Sequence, residues 1–195
     1  ESCQVITNIL KNDAINLSGL KLDDIFDKGS DGLARALANG LVGNTRLTHL
    51  EIMVYWFTWD ILARALRQNS TLTHLKVKNW TGDDVCRALG DMLRHNKTLT
   101  YLELKEEHLK DEGVVAITKA IQFNTCLRHL VIGMQYKKRT DKITGEALAA
   151  FQNALKFNFT IKELKFIMED SNLFDRNQDI KREVENYLKQ NAEGC

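Results

Sequence analysis

Apolar residues recur along this chain in the order Leu-x-x-Leu-x-Leu, with Ile, Val and Phe substituting. The copies are Leu17-Leu20-Leu22, Leu47-Leu50-Ile52, Leu72-Leu75-Val77, Leu99-Leu102-Leu104, Leu127-Leu130-Ile132 and Ile161-Leu164-Phe166. The last two positions of each copy alternate with polar residues, the pattern of a strand with one buried face. Between copies the spacing changes to that of a helix, and each helical run closes at an asparagine: Asn12, Asn44, Asn69, Asn96, Asn124, Asn158 and Asn191. Seven residues before these stand Val5, Leu37, Leu62, Leu89, Ile117, Phe151 and Val184; three before stand Ile9, Leu41, Leu66, Leu93, Ile121, Leu155 and Leu188. Positions four apart share a helix face, so each helix is expected to carry its apolar stripe in the same place. The chain contains no proline. Asparagine, which tolerates the left-handed conformation that ends a helix, is therefore expected to close these helices.

Six strands bracketed by seven helices, in one register, predict a solenoid in which each unit packs on its neighbours. The expected organisation is a single repeat domain over 1–195, with a first helix and strand in 1–22, repeats in 23–166 and a capping unit in 167–195. The last helix is expected over Gln178–Gln190. Its charged residues Lys181, Arg182, Glu185 and Lys189 suit a terminal unit facing water. Two connections differ from the rest. The strand at 127–132 is followed by an insertion containing Lys137, Lys138 and Arg139, and the strand at 47–52 runs quickly through Tyr55, Trp56 and Trp59 into its helix.

Charge adds little: 27 Lys and Arg against 26 Asp and Glu leave +1, no global field for nucleic acid or an anionic membrane, though a local basic patch stays open. No apolar run approaches the roughly 20 residues of a membrane span, and residues 1–12 lack signal-peptide features. These features suggest a soluble protein, or a fragment of one, in the cytoplasm. Cys3, Cys86, Cys126 and Cys195 are too scattered for a disulfide framework or zinc knuckle. The sequons at Asn69, Asn96 and Asn158 share one repeat position, so repeat grammar explains them better than glycosylation.

The run Leu104-x-x-Glu107-x-Leu109-x-Asp-Glu-Gly113, followed by Ile117, Ile121 and Asn124-Thr, resembles the leucine-rich repeat of the ribonuclease-inhibitor type. Degenerate copies cover 1–191. The resemblance implies an α/β fold: a curved leucine-rich-repeat solenoid with a parallel sheet on the concave face and helices on the convex face, a surface that in this family typically binds proteins. The chain departs from the family where an asparagine is expected three residues after the strand's last leucine. Tyr55, Trp80, Glu107 and Gln135 stand there.

If the leucines point inward, two columns face outward. The first reads Gly19, His49, His74, Tyr101, His129, Glu163; the second reads Lys21, Glu51, Lys76, Glu103, Val131, Lys165. Strands about 4.8 Å apart would bring His49 and His74 together. Tyr101 separates them from His129, so a third metal ligand is missing and no metal or cofactor is expected. Histidines here also suit a pH-sensitive binding surface. The alternating charges read either as a self-neutralising ladder or as a code for a partner. Tyr55, Trp56, Trp59 and Trp80 read either as a binding patch or as side chains folded inward.

The expected partner-binding set is therefore His49, Glu51, Tyr55, His74, Lys76, Trp80, Tyr101, Glu103, His129, Glu163 and Lys165. No phosphate loop, nucleophile elbow, HExxH or paired carboxylates suggest catalysis, so the chain reads as no enzyme. The first expectation for function is a monomeric, non-catalytic protein-interaction module, a sensor or adaptor in cytoplasmic signalling, without nucleic-acid or membrane partners. The alternative is an actin-binding, filament-capping domain, because the organisation is similar to the tropomodulin repeat domain. Regulation of a small GTPase ranks third.

Overall fold

The computed structural model describes all residues except 1, 13, 27–30, 56–57, 80–81, 107–108, 135–143, 169–177 and 195. Helices and strands alternate throughout: α1 Ser2–Lys11, β1 Gly19–Phe26, α2 Gly32–Leu41, β2 His49–Tyr55, α3 Trp59–Gln68, β3 His74–Asn79, α4 Asp83–Leu93, β4 Tyr101–Glu106, α5 Asp111–Ile121, β5 His129–Met134, α6 Gly145–Leu155, β6 Glu163–Met168 and α7 Gln178–Glu193. The strands form one parallel sheet in sequence order, β1 to β6. The register keeps the leucines aligned, Leu20, Leu50, Leu75, Leu102, Leu130 and Leu164 standing side by side. This is the leucine-rich-repeat architecture the sequence predicts, with helices on one side of the sheet and the other side open.

The core lies between sheet and helices. Leu50, Leu75, Leu102 and Leu130 are at most 1% exposed, and so are Leu37, Leu62, Leu89, Ile117 and Phe151 from the helices facing them. Where helices α4 and α5 meet, Gly90 is required: a Cβ there would stand 2.8 Å from the Ala116 carbonyl oxygen. The stripe fails only in α1. Val5 and Ile9 are exposed, while Cys3, Ile6 and Leu10 pack on the core. The face is rotated by one residue, and the bond that Asn44 makes to α1 falls on Leu10 in step with it.

The asparagines hold the helix ends in a way the sequence reading does not anticipate. Asn69 sits at φ −68°, ψ 130°, extended rather than left-handed. Its side chain does the work: Nδ2 donates to the Leu41 carbonyl of the preceding unit at 3.1 Å, and Oδ1 accepts from the N–H groups of Thr71 and Leu72. Asn96, Asn124 and Asn158 repeat this and add a second donor bond to the previous asparagine's carbonyl, at 3.2, 3.2 and 2.8 Å. Asn191 continues the series from inside α7, bonding Asn158 O and Ile161 O. All are buried, from Asn69 at 7% to Asn96 at 1% exposed. A buried amide with four bonds satisfies the carbonyls a helix leaves open and starts the next strand. The threonines of the Asn-x-Thr pattern add rungs, with Thr71 donating to Asn44 O and Thr98 to Asn69 O. The sequons at Asn69, Asn96 and Asn158 are therefore structural ladder positions.

Candidate functional site

Strand alternation puts the two outward columns on the sheet face that the helices leave open. In the first column His49 pairs with His74, His74 with Tyr101, Tyr101 with His129, and His129 with Glu163. The rings of His49 and His74 stack at 4.1 Å with 14° between planes; His74 and Tyr101 stack at 5.4 Å, and Tyr101 and His129 lie 6.2 Å apart, tilted. Both stacked histidines are oriented from below. Nδ1 of His49 lies 2.8 Å from the Thr48 hydroxyl, and Nδ1 of His74 lies 2.8 Å from that of Thr73. At the β1 end the column stops at Gly19, whose missing side chain leaves a shallow cavity of about 350 Å³ bordered by His49, Lys21, Glu51 and His74.

The second column is an ionic network, which favours the ladder reading. Glu51 accepts from Lys78 at 2.8 Å and has Lys21 at 3.9 Å. Lys78 and Lys105 each serve a carboxylate one residue column away. Glu103 is the centre: Lys105 at 2.9 Å, Lys76 at 3.5 Å and the Tyr101 hydroxyl, donating at 2.9 Å, enclose it until 7% of the residue is exposed. Burial alone would raise the Glu103 carboxyl; the hydrogen bonds from Lys105 and Tyr101 and the charges of Lys105 and Lys76 outweigh it and hold it below its ordinary value. The same burial, with Glu103 beside it, pushes the Tyr101 hydroxyl up to about 12. At the far end Glu163 binds Lys165 and takes His129 Nδ1 at 3.0 Å, and these two bonds lower its carboxyl. His74 is shifted down, first by partial burial and then by the nearby His49, His129 and Lys76.

The expected set thus divides. His49, Glu51, His74, Lys76, Tyr101, His129, Glu163 and Lys165 form one continuous face. Glu103 shares it but is covered by its partners, so it braces the face rather than presenting a carboxylate. Val131, in the same column, is 5% exposed, also covered. Tyr55 ends β2, but its side chain, like Trp56 and Trp80, lies outside the described residues. Trp59 is turned inward at 3% exposed, settling the two readings for that residue. The insertion at 135–142 also lies outside the described residues. Among the described residues no three His, Cys, Asp or Glu side chains converge as a metal cage, and no helix is long and apolar enough to cross a membrane.

Sequence reading overlooks a second feature. Phe123, Phe157 and Phe159 are 64 to 68% exposed at the turns where helices return to the sheet. The register itself marks them, since they immediately flank Asn124 and Asn158 at positions that no other unit uses for its core.

No protein-family model matches the chain, and no curated protein matches it in sequence. Solved structures do. The chain is similar to leiomodin-1 actin-binding site 2, with TM-score 0.62 and 20% identity over 96% of this chain and 87% of that one. It is likewise similar to the tropomodulin C-terminal domain of Caenorhabditis elegans, with TM-score 0.59 and 12% identity over 99% of this chain and 95% of that one. At these identities the likeness is one of fold, and it runs through nearly the whole length of all three chains.

Proposed function

We propose that this chain is a non-catalytic, cytoplasmic actin-binding module. The observation that carries the reading is the near-complete correspondence of its fold with a domain named for binding actin, over 96% of the chain. An unrelated adaptor could share the repeat type, but the match extends over 87% of the leiomodin domain rather than across a few repeats. This favours the actin alternative over a signalling sensor.

The open sheet face is the proposed contact. Its side chains come from a rigid sheet, so they lose little conformational freedom on binding, and a Tyr and three His give it planar anchors of the kind that dominate interfaces. Thr48 and Thr73 hold His49 and His74, and Glu103 and Glu163 hold Tyr101 and His129. Co-sedimentation with actin filaments and a filament-end assembly assay test the reading. The chain should bind, and Tyr101→Ala with His74→Ala should weaken binding tenfold or more, about 1.4 kcal/mol. Arg64→Ala with Lys119→Ala, on exposed helix positions, should not. A chain that leaves both assays unchanged removes the actin reading; loss through the helix pair alone removes the sheet-face assignment.

A further inference from the structure

At the edge where helices return to the sheet, the segments around the asparagines that follow α2 to α6 span Val42–Thr48, Arg67–Thr73, Arg94–Thr100, Gln122–Arg128 and Lys156–Lys162. They hold no Asp or Glu, although 26 acidic residues spread evenly over 195 would put about five in these 35 positions; the segment after α1 carries one, Asp13. They hold seven Lys and Arg, densest from Arg94 to Lys162. Helix dipoles explain part of this. Each of five helix ends carries roughly −0.5 charge and attracts cations, roughly −2.5 in all. Arg67 also reaches Asp91, on the neighbouring helix, at 3.1 Å. Seven formal charges exceed both, so the edge stays positive.

A dipole does not call for exposed phenylalanine. Phe123, Phe157 and Phe159 are 68, 64 and 65% exposed on this edge, with Val42 at 58% further along it. Their turns are rigid: Asn124 and Asn158 are buried, and Asn158 Nδ2 ties the two turns together through the Asn124 carbonyl at 2.8 Å. Three aromatic rings are therefore held outward from two adjacent turns whose only charged side chains are cationic.

Protein surfaces mix both signs, whereas the headgroup layer of an anionic bilayer is uniformly negative and apolar just beneath. A row of cationic turns with protruding rings complements the second. We infer that this edge is a peripheral docking site for an anionic lipid surface. Phe123, Phe157 and Phe159 seat in the interfacial layer while Arg94, Lys97, Lys156 and Lys162 meet lipid phosphates. The site is separate from the sheet face and independent of the actin reading.

Flotation of the full chain with vesicles tests this. Phosphatidylcholine vesicles containing phosphatidylserine should carry the protein at least tenfold better than phosphatidylcholine alone, and added salt should release it. Phe123→Ser with Phe157→Ser and Phe159→Ser, and separately Lys156→Glu with Lys162→Glu, should each reduce binding tenfold or more. Their melting temperatures should stay unchanged, since every altered side chain is exposed. Tyr101→Ala with His74→Ala should float normally. Wild-type protein that ignores phosphatidylserine, or edge variants that float like wild type, overturns the inference. So does an edge variant that loses only actin co-sedimentation while no form binds vesicles, which makes the edge a protein interface.

Discussion

Replacing Asn124 by alanine isolates what the buried asparagine ladder contributes. The side chain is 1% exposed and makes four bonds: Nδ2 to Leu93 O at 2.7 Å and Asn96 O at 3.2 Å, and Oδ1 from Cys126 N at 2.9 Å and Leu127 N at 2.7 Å. Alanine leaves at least the Leu93 carbonyl and the Leu127 N–H buried without these partners. Each orphaned group costs about 1–3 kcal/mol, so the expected loss is about 2–6 kcal/mol. Aspartate is the sharper probe. It keeps an acceptor for the two N–H groups but turns its second oxygen toward two carbonyls, so its ionised form is disfavoured and its folded pKa rises above the unfolded value of about 3.9. The penalty is then least below that value and grows as pH rises through the folded pKa. Urea denaturation followed by circular dichroism should show Asn124→Asp closer to wild type at pH 4 than at pH 7. A loss within about 0.5 kcal/mol for the alanine variant, the range of ordinary surface changes, or a pH-independent aspartate variant, would refute the reasoning. Asn153→Ala, on the exposed side of α6, is the matched control.

Further outcomes follow from the core and the ionic face. Leu102→Ala, at a fully buried position shared by neighbouring units, should cost about 2–5 kcal/mol in the same assay. The lowered carboxyl of Glu103 contributes stability that is present above the unfolded carboxylate pKa and lost as pH falls through the folded one. Glu103→Gln should flatten the acid limb of a urea-midpoint profile, and an unchanged limb counts against the network. For His74, also lowered, the unfolded chain takes the proton first, so stability should fall as pH drops through about 6.5. His74→Gln should remove that part of the slope, and identical profiles would contradict the shift.

The repeat pattern alone determined the strands and, from α2 onward, the helix stripes, because period two and period 3.6 are properties of the local chain; the parallel sheet was what the leucine-rich-repeat resemblance implied. From α2 onward the strand leucines and facing helix positions land in the core where the sequence puts them. The register of the asparagines was equally legible; their role was not. A side chain that bonds a carbonyl some 28 residues earlier is invisible to local propensity, which reads asparagine as a left-handed closure. The same limit explains α1, whose buried face is rotated by one residue because the neighbouring unit decides which side is covered. Of the open sheet face, the sequence determined which residues share it and that their charges alternate. It could not determine that Lys76, Lys105 and Tyr101 close over Glu103, or that Trp59 turns inward while three phenylalanines turn out. Burial of a side chain depends on what the neighbouring units bring above it, and only the stacked tertiary structure decides that.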